Sequence, residues 1–502
     1  MRRARIVIGM FAVLSIAFAT SNAQAGGLEY NGAGTRAAGR GGAFAARADD
    51  PMALQLNPAL LADLGGTQLM LNANVALYNA CVTRPGAYIG DSDPRTVYSF
   101  AGGSADWIGK AFPEVCNETP FAPGASLVAT FHLADGLTLG AGVLTPYAAG
   151  AIRFGALDGT VANGTLPSPV RYNLIQQNLL QVFPSVGVGY RVTPWLAVGA
   201  TFQWGLTHIS YTNNAATQPG TDPLQDLRAD ITVADYFTPA VIGSVALRPT
   251  PSLDFMLGFR WVDNVKARGD VAITALVFDD PATVNSVTTL HDVRLVAPQT
   301  GALSFGARYG HRRHSGAPIT DAAQESLRGE TYDRMNTELF DVEFDAVYEL
   351  NNRVNDFVVT LPENPKAEIP GVGLSPLPSP IHLGHKWQNQ LSLRLGGDFN
   401  VLPGTLAVRA GVSYETSGVD NRFAQLDFIP GERIGVGGGA TLRLGKLDLS
   451  LAYQHIFQAD ITSTATDTEG LRQIALGAGE VINQGTYSAR FDVFSLGATY
   501  RF

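Results

Sequence analysis

Charged side chains are scarce in this chain. Asp, Glu, Lys and Arg together make up 16% of it, against about a quarter in an ordinary soluble domain. What charge there is leans acidic, −9 at neutral pH, which argues against a nucleic-acid partner. Long apolar runs are missing too: beyond residue 25 no stretch approaches the roughly 18 residues that a membrane helix needs. Recognisable catalytic motifs are absent, with no G-x-S-x-G, H-E-x-x-H or Walker pattern. GVGGGA (435–440) and GAGTRA (32–37) match a relaxed dinucleotide fingerprint, but neither sits between a buried parallel strand and a helix. His311-Arg312-Arg313-His314 has no carboxylate or cysteine at ligand spacing. No enzyme, cofactor or metal is therefore expected.

Only two cysteines occur, Cys81 and Cys116. In an oxidising compartment they can pair, and closing a loop of that length contributes about 3–4 kcal/mol by chain entropy. Two free thiols are the alternative. The compartment is suggested by the N-terminus, where Arg2, Arg3 and Arg5 precede a 15-residue apolar run and Ala23-Gln24-Ala25 offers a cleavage site. Residues 1–25 read as a signal peptide, too short in its apolar part for an anchor. An exported chain with 55 glycines, little charge and no spanning helix leaves two architectures, a large soluble β protein or a transmembrane β-barrel.

The strand patterns favour the barrel. At the C-terminus Phe494, Leu496, Ala498, Tyr500 and Phe502 alternate with Val493, Ser495, Gly497, Thr499 and Arg501. Leu391, Leu393 and Leu395 alternate with Gln390, Ser392 and Arg394; Leu406, Val408 and Val412 with Arg409, Ser413 and Glu415; and Leu447, Leu449 and Leu451 with Asp448 and Ser450. Arg409, Glu415 and Asp448 on an inner face would be costly in a dry core, whereas a wet lumen accepts them. Connections also alternate in length. Short turns such as Ala134-Asp135-Gly136, Leu402-Pro403-Gly404 and Gly445-Lys446 separate long polar stretches near 80–124, 148–175, 213–236, 265–298, 351–385 and 417–431. This is the pattern of outer-membrane barrels, and about 14 antiparallel strands are expected within 67–502. The stretch 310–333 is long for a periplasmic turn. Trp195 and Trp387 each fall at a strand end, where the membrane interface and a loop core are both open readings.

Residues 26–66 do not alternate. Asp50 precedes Pro51 and Asn57 precedes Pro58, each a capping residue followed by proline at a helix start. Leu60, Leu61 and Leu64 then share one face before Gly65-Gly66. Wall side chains alone do not fill the bore of a 14-stranded barrel, so this small helical N-terminal unit suits a plug in the lumen.

The run G-x-x-x-x-G-R-G-G-A-F-A-A-x-A-D-D from Gly34 to Asp50, followed by Asn57-Pro58-Ala59, resembles the hatch of the FadL family of outer-membrane transporters for long-chain fatty acids and other hydrophobic compounds. Segment 387–418, the hairpin around Gly445-Lys446 and the final phenylalanine are similar to that family's late strands. The resemblance implies a 14-stranded barrel with a hatch, passive uptake of fatty acids or aromatic hydrocarbons, and sideways exit through a kink in the third strand. Asn57, Pro58 and Ala59 match the hatch tripeptide. Pro146 and Gly150, in the third strand, are the kink candidates, with ordinary strand termination as the alternative. Tyr236, Phe237, Leu276, Val277 and Phe278 are apolar enough to line an outer groove, or to pack within loops. The expected partners are hydrophobic small molecules and outer-membrane lipid, and the expected state is a monomer. A surface adhesin or structural barrel with a shut hatch is the alternative function.

Overall fold

The computed structural model describes residues 34–88, 109–118, 121–145, 150–157, 159–161, 166–216, 226–275, 287–312, 333–369, 373–466, 468–474 and 479–502. Its wall consists of β1 (Thr67–Thr83), β2 (Phe121–Ala134), β3 (Leu137–Leu144), β4 (Gln176–Thr193), β5 (Leu196–Ala216), β6 (Asp226–Thr250), β7 (Leu253–Val262), β8 (Ala302–Arg312), β9 (Glu338–Glu349), β10 (Gln390–Leu402), β11 (Leu406–Glu415), β12 (Arg433–Leu444), β13 (Leu447–Gln458) and β14 (Thr486–Arg501). Each strand is antiparallel to its neighbour. Gln68↔Arg501 through Thr83↔Thr486 join β1 to β14 and close the 14-stranded barrel.

The period-two pattern becomes a two-faced wall. On β14, Phe494, Leu496 and Tyr500 are exposed while Val493, Ser495 and Thr499 are buried. Leu449, Leu451 and Tyr453 of β13 face out, and Asp448 and Gln454 face in. An apolar exterior around a partly charged interior is the arrangement of a transmembrane barrel of the outer-membrane type, in which lipid covers the outer face and no strand edge is left unpaired. No helix among the described residues is long and apolar enough to cross a membrane.

The long stretches hold more sheet than their polarity suggests. The N-terminal part of β6 pairs with Val265–Ala275, which pairs in turn with Val287–Ala297, and Asp356–Thr360 and Ile381–Gly384 continue the sheet beyond the barrel. Val265, Ala267, Val271 and Ile273 are buried at alternate positions. Lys266, Arg268 and Asp270 between them gave the segment the polarity of a loop. The ladder between β8 and β9 is regular from Ala302↔Glu349 to His311↔Phe340, so the long connection 310–333 does not signal a misplaced strand; residues 313–332 lie outside the described residues.

The two tryptophans part company. Trp195, in the β4–β5 turn, is 52% exposed, whereas Trp387 is 4% exposed and stacks edge-on against His385 and Phe428. Cys81 and Cys116 are opposed residues of a short antiparallel pairing and are joined by a disulfide.

Candidate functional site

The hatch occupies the bore. It contains α1 (Thr35–Gly39), α2 (Ala53–Leu56) and a 3-10 turn from Pro58 to Asp63. Both capping expectations need adjustment. Asp50 Oδ1 accepts a hydrogen bond from the Met52 amide at 2.9 Å, but α2 starts only at Ala53. Asn57 sits at the N-cap with Pro58 at the first helical position, yet its side chain does not cap. It reaches outward instead: Nδ2 donates to the Ala45 carbonyl at 2.8 Å, and Oδ1 accepts from the Ser244 hydroxyl of β6 at 2.8 Å. That hydroxyl also accepts from the Ala59 amide at 2.9 Å. Ser244 thus ties the tripeptide to the wall. Pro58 and Ala59 approach so closely that a Cβ at Gly199 of β5 would lie 2.2 Å from the Pro58 carbonyl carbon. Leu60, Leu61 and Leu64 are all buried, and the chain turns at Gly66 with φ of 62°.

Two chemically different sides hold the hatch. Toward β9–β11 the contact is ionic. Arg40, with a fully buried side chain, donates to Asp341 at 2.9 Å, Asp398 at 2.8 Å and Glu343 at 2.7 Å. Arg47 lies 3.1 Å from Asp341 and 3.5 Å from Asp398, and Arg308 of β8 reaches Asp341 at 2.6 Å. Hatch amides join in: Phe44 and Ala45 donate to Asp345, each at 2.9 Å, and Ala46 to Glu343 at 2.6 Å. Burial pushes the Asp49 carboxyl up, but Arg36 at 2.8 Å and Arg47 more than offset it and hold it well below the usual range. Next to it, burial leaves Asp50 raised.

Toward β2–β7 the contact is mainly apolar, although Asp63 pairs there with Arg191 of β4 and Arg248 of β6. Leu54, Leu60, Leu61 and Leu64 pack with Val128, Leu144, Phe183, Ala240 and Val262. Leu54 meets the wall where β3 and β4 carry glycine, with its Cδ1 about 3.0 Å from a Cβ built on Gly140 and 2.7 Å from one built on Gly187.

Among the described residues the wall is interrupted on that same side. β3 pairs with β2 only up to Leu127↔Val143 and with β4 up to Leu144↔Phe183. The chain re-enters the sheet at Gly150–Arg153, where Gly150↔Leu179 and its successors pair with β4. Among the described residues, β2 from Phe121 to Ser126 has no ladder partner on this flank. Thr145 bridges part of it by side-chain bonds, its hydroxyl donating to the Ala125 carbonyl at 2.7 Å. Gly150 is therefore the residue at which pairing resumes, and Pro146 lies outside the described residues.

Above the hatch an apolar cleft opens between β4–β6 and the sheet extension. It consists of two adjoining cavities of about 70 Å³ and 60 Å³ that share Tyr211, Ile231, Val359 and Leu383. The upper part is lined by Leu227, Ile273, Leu361 and Ile474 among others. The lower part adds Phe357 and Phe428 together with Gln177, Gln181, Thr207, Gln299 and Asp427. Of the sequence candidates, Tyr236 and Phe237 do not line either cavity. They are 76% and 53% exposed on the outer face of β6, where a register irregularity opposite Gly205 lets both point outward and Phe237 packs on Trp204. Leu276, Val277 and Phe278 lie outside the described residues. Sequence reasoning missed Gln177, Gln181 and Gln299, although the first two stand on the inward-facing register of a strand it placed correctly.

Among solved structures, a Pseudomonas aeruginosa FadL homologue aligns with a TM-score of 0.68 at 14% identity, over 95% of this chain and 100% of that chain. The Pseudomonas putida toluene transporter TodX gives 0.59 at 15% identity over 95% and 100%, and the Ralstonia pickettii toluene transporter TbuX 0.57 at 15% over 94% and 99%. No family model and no curated protein matches the sequence. At such identities the likeness is one of fold, and it spans the barrel and its plug together: the chain has the fold of the FadL-type transporters.

Proposed function

We propose that the protein is an outer-membrane importer for hydrophobic compounds, with an apolar cleft that receives them, a hatch that stays seated, and sideways release into the bilayer at the break beyond β3. The observation that carries this reading is a coincidence of position. The cleft over β4–β6, the apolar side of the hatch and the interrupted ladder between β2 and Gly150–Arg153 all lie in one sector of the wall. The buried ionic anchors Arg40 and Arg47 of the hatch lie nearly opposite, on β9 and β10, while Asp63 alone pairs with Arg191 and Arg248 near the β4–β5 and β6–β7 turns. An apolar molecule loses about 0.8 kcal/mol for every methylene exposed to water. A path that is apolar from cleft to lipid avoids that loss, whereas descent through the charged side would incur it. The toluene transporters that share this fold support the reading at the level of substrate chemistry.

The test is uptake of oleate and of toluene by a deletion strain and by the same strain carrying the gene. Restoration of either by the gene is the expected result. Equal uptake with and without the gene, in a strain with no second importer, would refute import as the main role.

A further inference from the structure

We propose that the cleft selects neutral hydrophobic molecules bearing a hydroxyl group, alkyl alcohols and phenols, over carboxylates. The inference rests on the import function above and adds the polarity of the cargo.

Among the described residues no lysine, arginine or histidine lines either cavity. In the sequence, 217–225, 276–286, 370–372 and 475–478 contain none either. Among the described residues the one charged lining residue is an acid, Asp427. Its Oδ1 accepts the Phe428 amide at 2.8 Å, and its Oδ2 lies 2.8 Å from His385 Nε2. The other ring nitrogen of His385 is 2.9 Å from the Leu383 carbonyl oxygen. Both ring nitrogens of His385 are thus engaged by the protein, and neither is left to pair with a ligand. A fatty-acid carboxylate entering here would meet a carboxylate and carboxamide oxygens, with no counter-charge.

A hydroxyl group would meet partners. Gln177 and Gln299 line the lower cavity and are 6% and 5% exposed. The side-chain oxygen of each is buried without a hydrogen-bond partner. By contrast, Gln181 is engaged, donating to the Thr207 hydroxyl at 3.0 Å. A hydroxyl both donates and accepts, so it pairs with either end of a carboxamide. Buried polar groups are ordinarily paired, and two unpaired carboxamide oxygens in one apolar cavity point to a ligand that completes them.

The test uses the full chain in cells that lack other importers of this class, with labelled decanol, decane and decanoate at neutral pH. Uptake of decanol should exceed that of decane by about fivefold, the net worth of one hydrogen bond. Decanoate should fall at least about tenfold below decanol. Gln177→Leu with Gln299→Leu should bring the decanol-to-decane uptake ratio from about five down to about one; Gln299→Met alone is the milder variant if the pair does not fold. Decanoate entering as fast as decanol, or a decanol-to-decane ratio unmoved by the substitutions, would overturn the selectivity and leave import standing. If the chain confers uptake of none of the three, import itself fails and the selectivity with it.

Discussion

Replacing Arg40 by methionine should unseat the hatch without unfolding the barrel. The guanidinium is fully buried and bonded at 2.7–2.9 Å to carboxylates from two wall strands. After the change, Asp341 keeps Arg47 and Arg308, and Asp398 keeps Arg47 and Arg409. Glu343 loses its only ion-pair partner among the described residues and retains the amides of Ala46 and Arg47 and a side-chain hydrogen bond with Asp345, but no cation. A buried charge stripped of its partner costs about 3–5 kcal/mol, or roughly two to three and a half powers of ten in the ratio of seated to unseated hatch. No ladder bond of the wall involves residue 40, so the heat-modifiable folded barrel should survive. The assay is single-channel conductance in planar bilayers, where the variant should show large, frequent openings against a quiet wild type. Adding Glu343→Gln should restore most of the quiet, because it removes the one carboxylate left alone. A folded Arg40→Met barrel as quiet as wild type, or openings that Glu343→Gln leaves unchanged, would refute the ionic account of seating.

Three further outcomes follow from close contacts. Gly199→Val should displace Pro58 and Ala59, since even a Cβ there lies 2.2 Å from the Pro58 carbonyl carbon; uptake should fall severalfold while the folded barrel band on a gel persists. Asn57→Ala removes two tertiary hydrogen bonds, a loss of about 1–3 kcal/mol, and should alter permeation more than barrel folding; equal loss of both would count against a role confined to the hatch. Cys116→Ser frees the loop that the disulfide closes, at a cost of about 3–4 kcal/mol in the chain-entropy picture. Limited proteolysis should then cut faster between residues 84 and 116, with the barrel core still protected.

Strand order and facing were legible in the sequence because a lipid-facing wall enforces strict alternation, and a one-residue slip would reverse Leu449 and Asp448 together. The helical start at Pro58 was legible from Asn57-Pro58, but the destination of the Asn57 side chain was not. Its partner Ser244 is 187 residues away, and nothing local distinguishes a capping asparagine from one that bonds across the lumen. The sheet in 265–297 was hidden because its exposed positions carry Lys266, Arg268 and Asp270, the residues of a solvated loop. The outward turn of Tyr236 and Phe237 depends on a register irregularity between β5 and β6; two adjacent aromatics otherwise belong on opposite faces. The cleft itself joins strands far apart in sequence with an extension of the sheet, and no window of residues contains it.

The division of the hatch into an ionic and an apolar side has a mechanical consequence. Moving the ionic side means withdrawing the buried side chains of Arg40 and Arg47 from their carboxylates, and nothing in a hydrophobic cargo compensates. Parting Leu54 or Leu61 from Phe183 and Leu144 is different, because the cargo presents its own apolar surface to both sides as it passes, and the area lost between residues is regained against the ligand. Passage along the apolar side is thus close to an exchange of equivalent contacts, while passage along the other breaks a charge network. Under the proposed function, such a hatch would stay shut to ions and open to grease at once. Substitutions on the two sides should separate accordingly, with polar replacements of Leu54 and Leu61 slowing uptake but leaving conductance low, and loss of Arg40 raising conductance; a leak from the first set as large as that from the second would mean that the two sides share one gate.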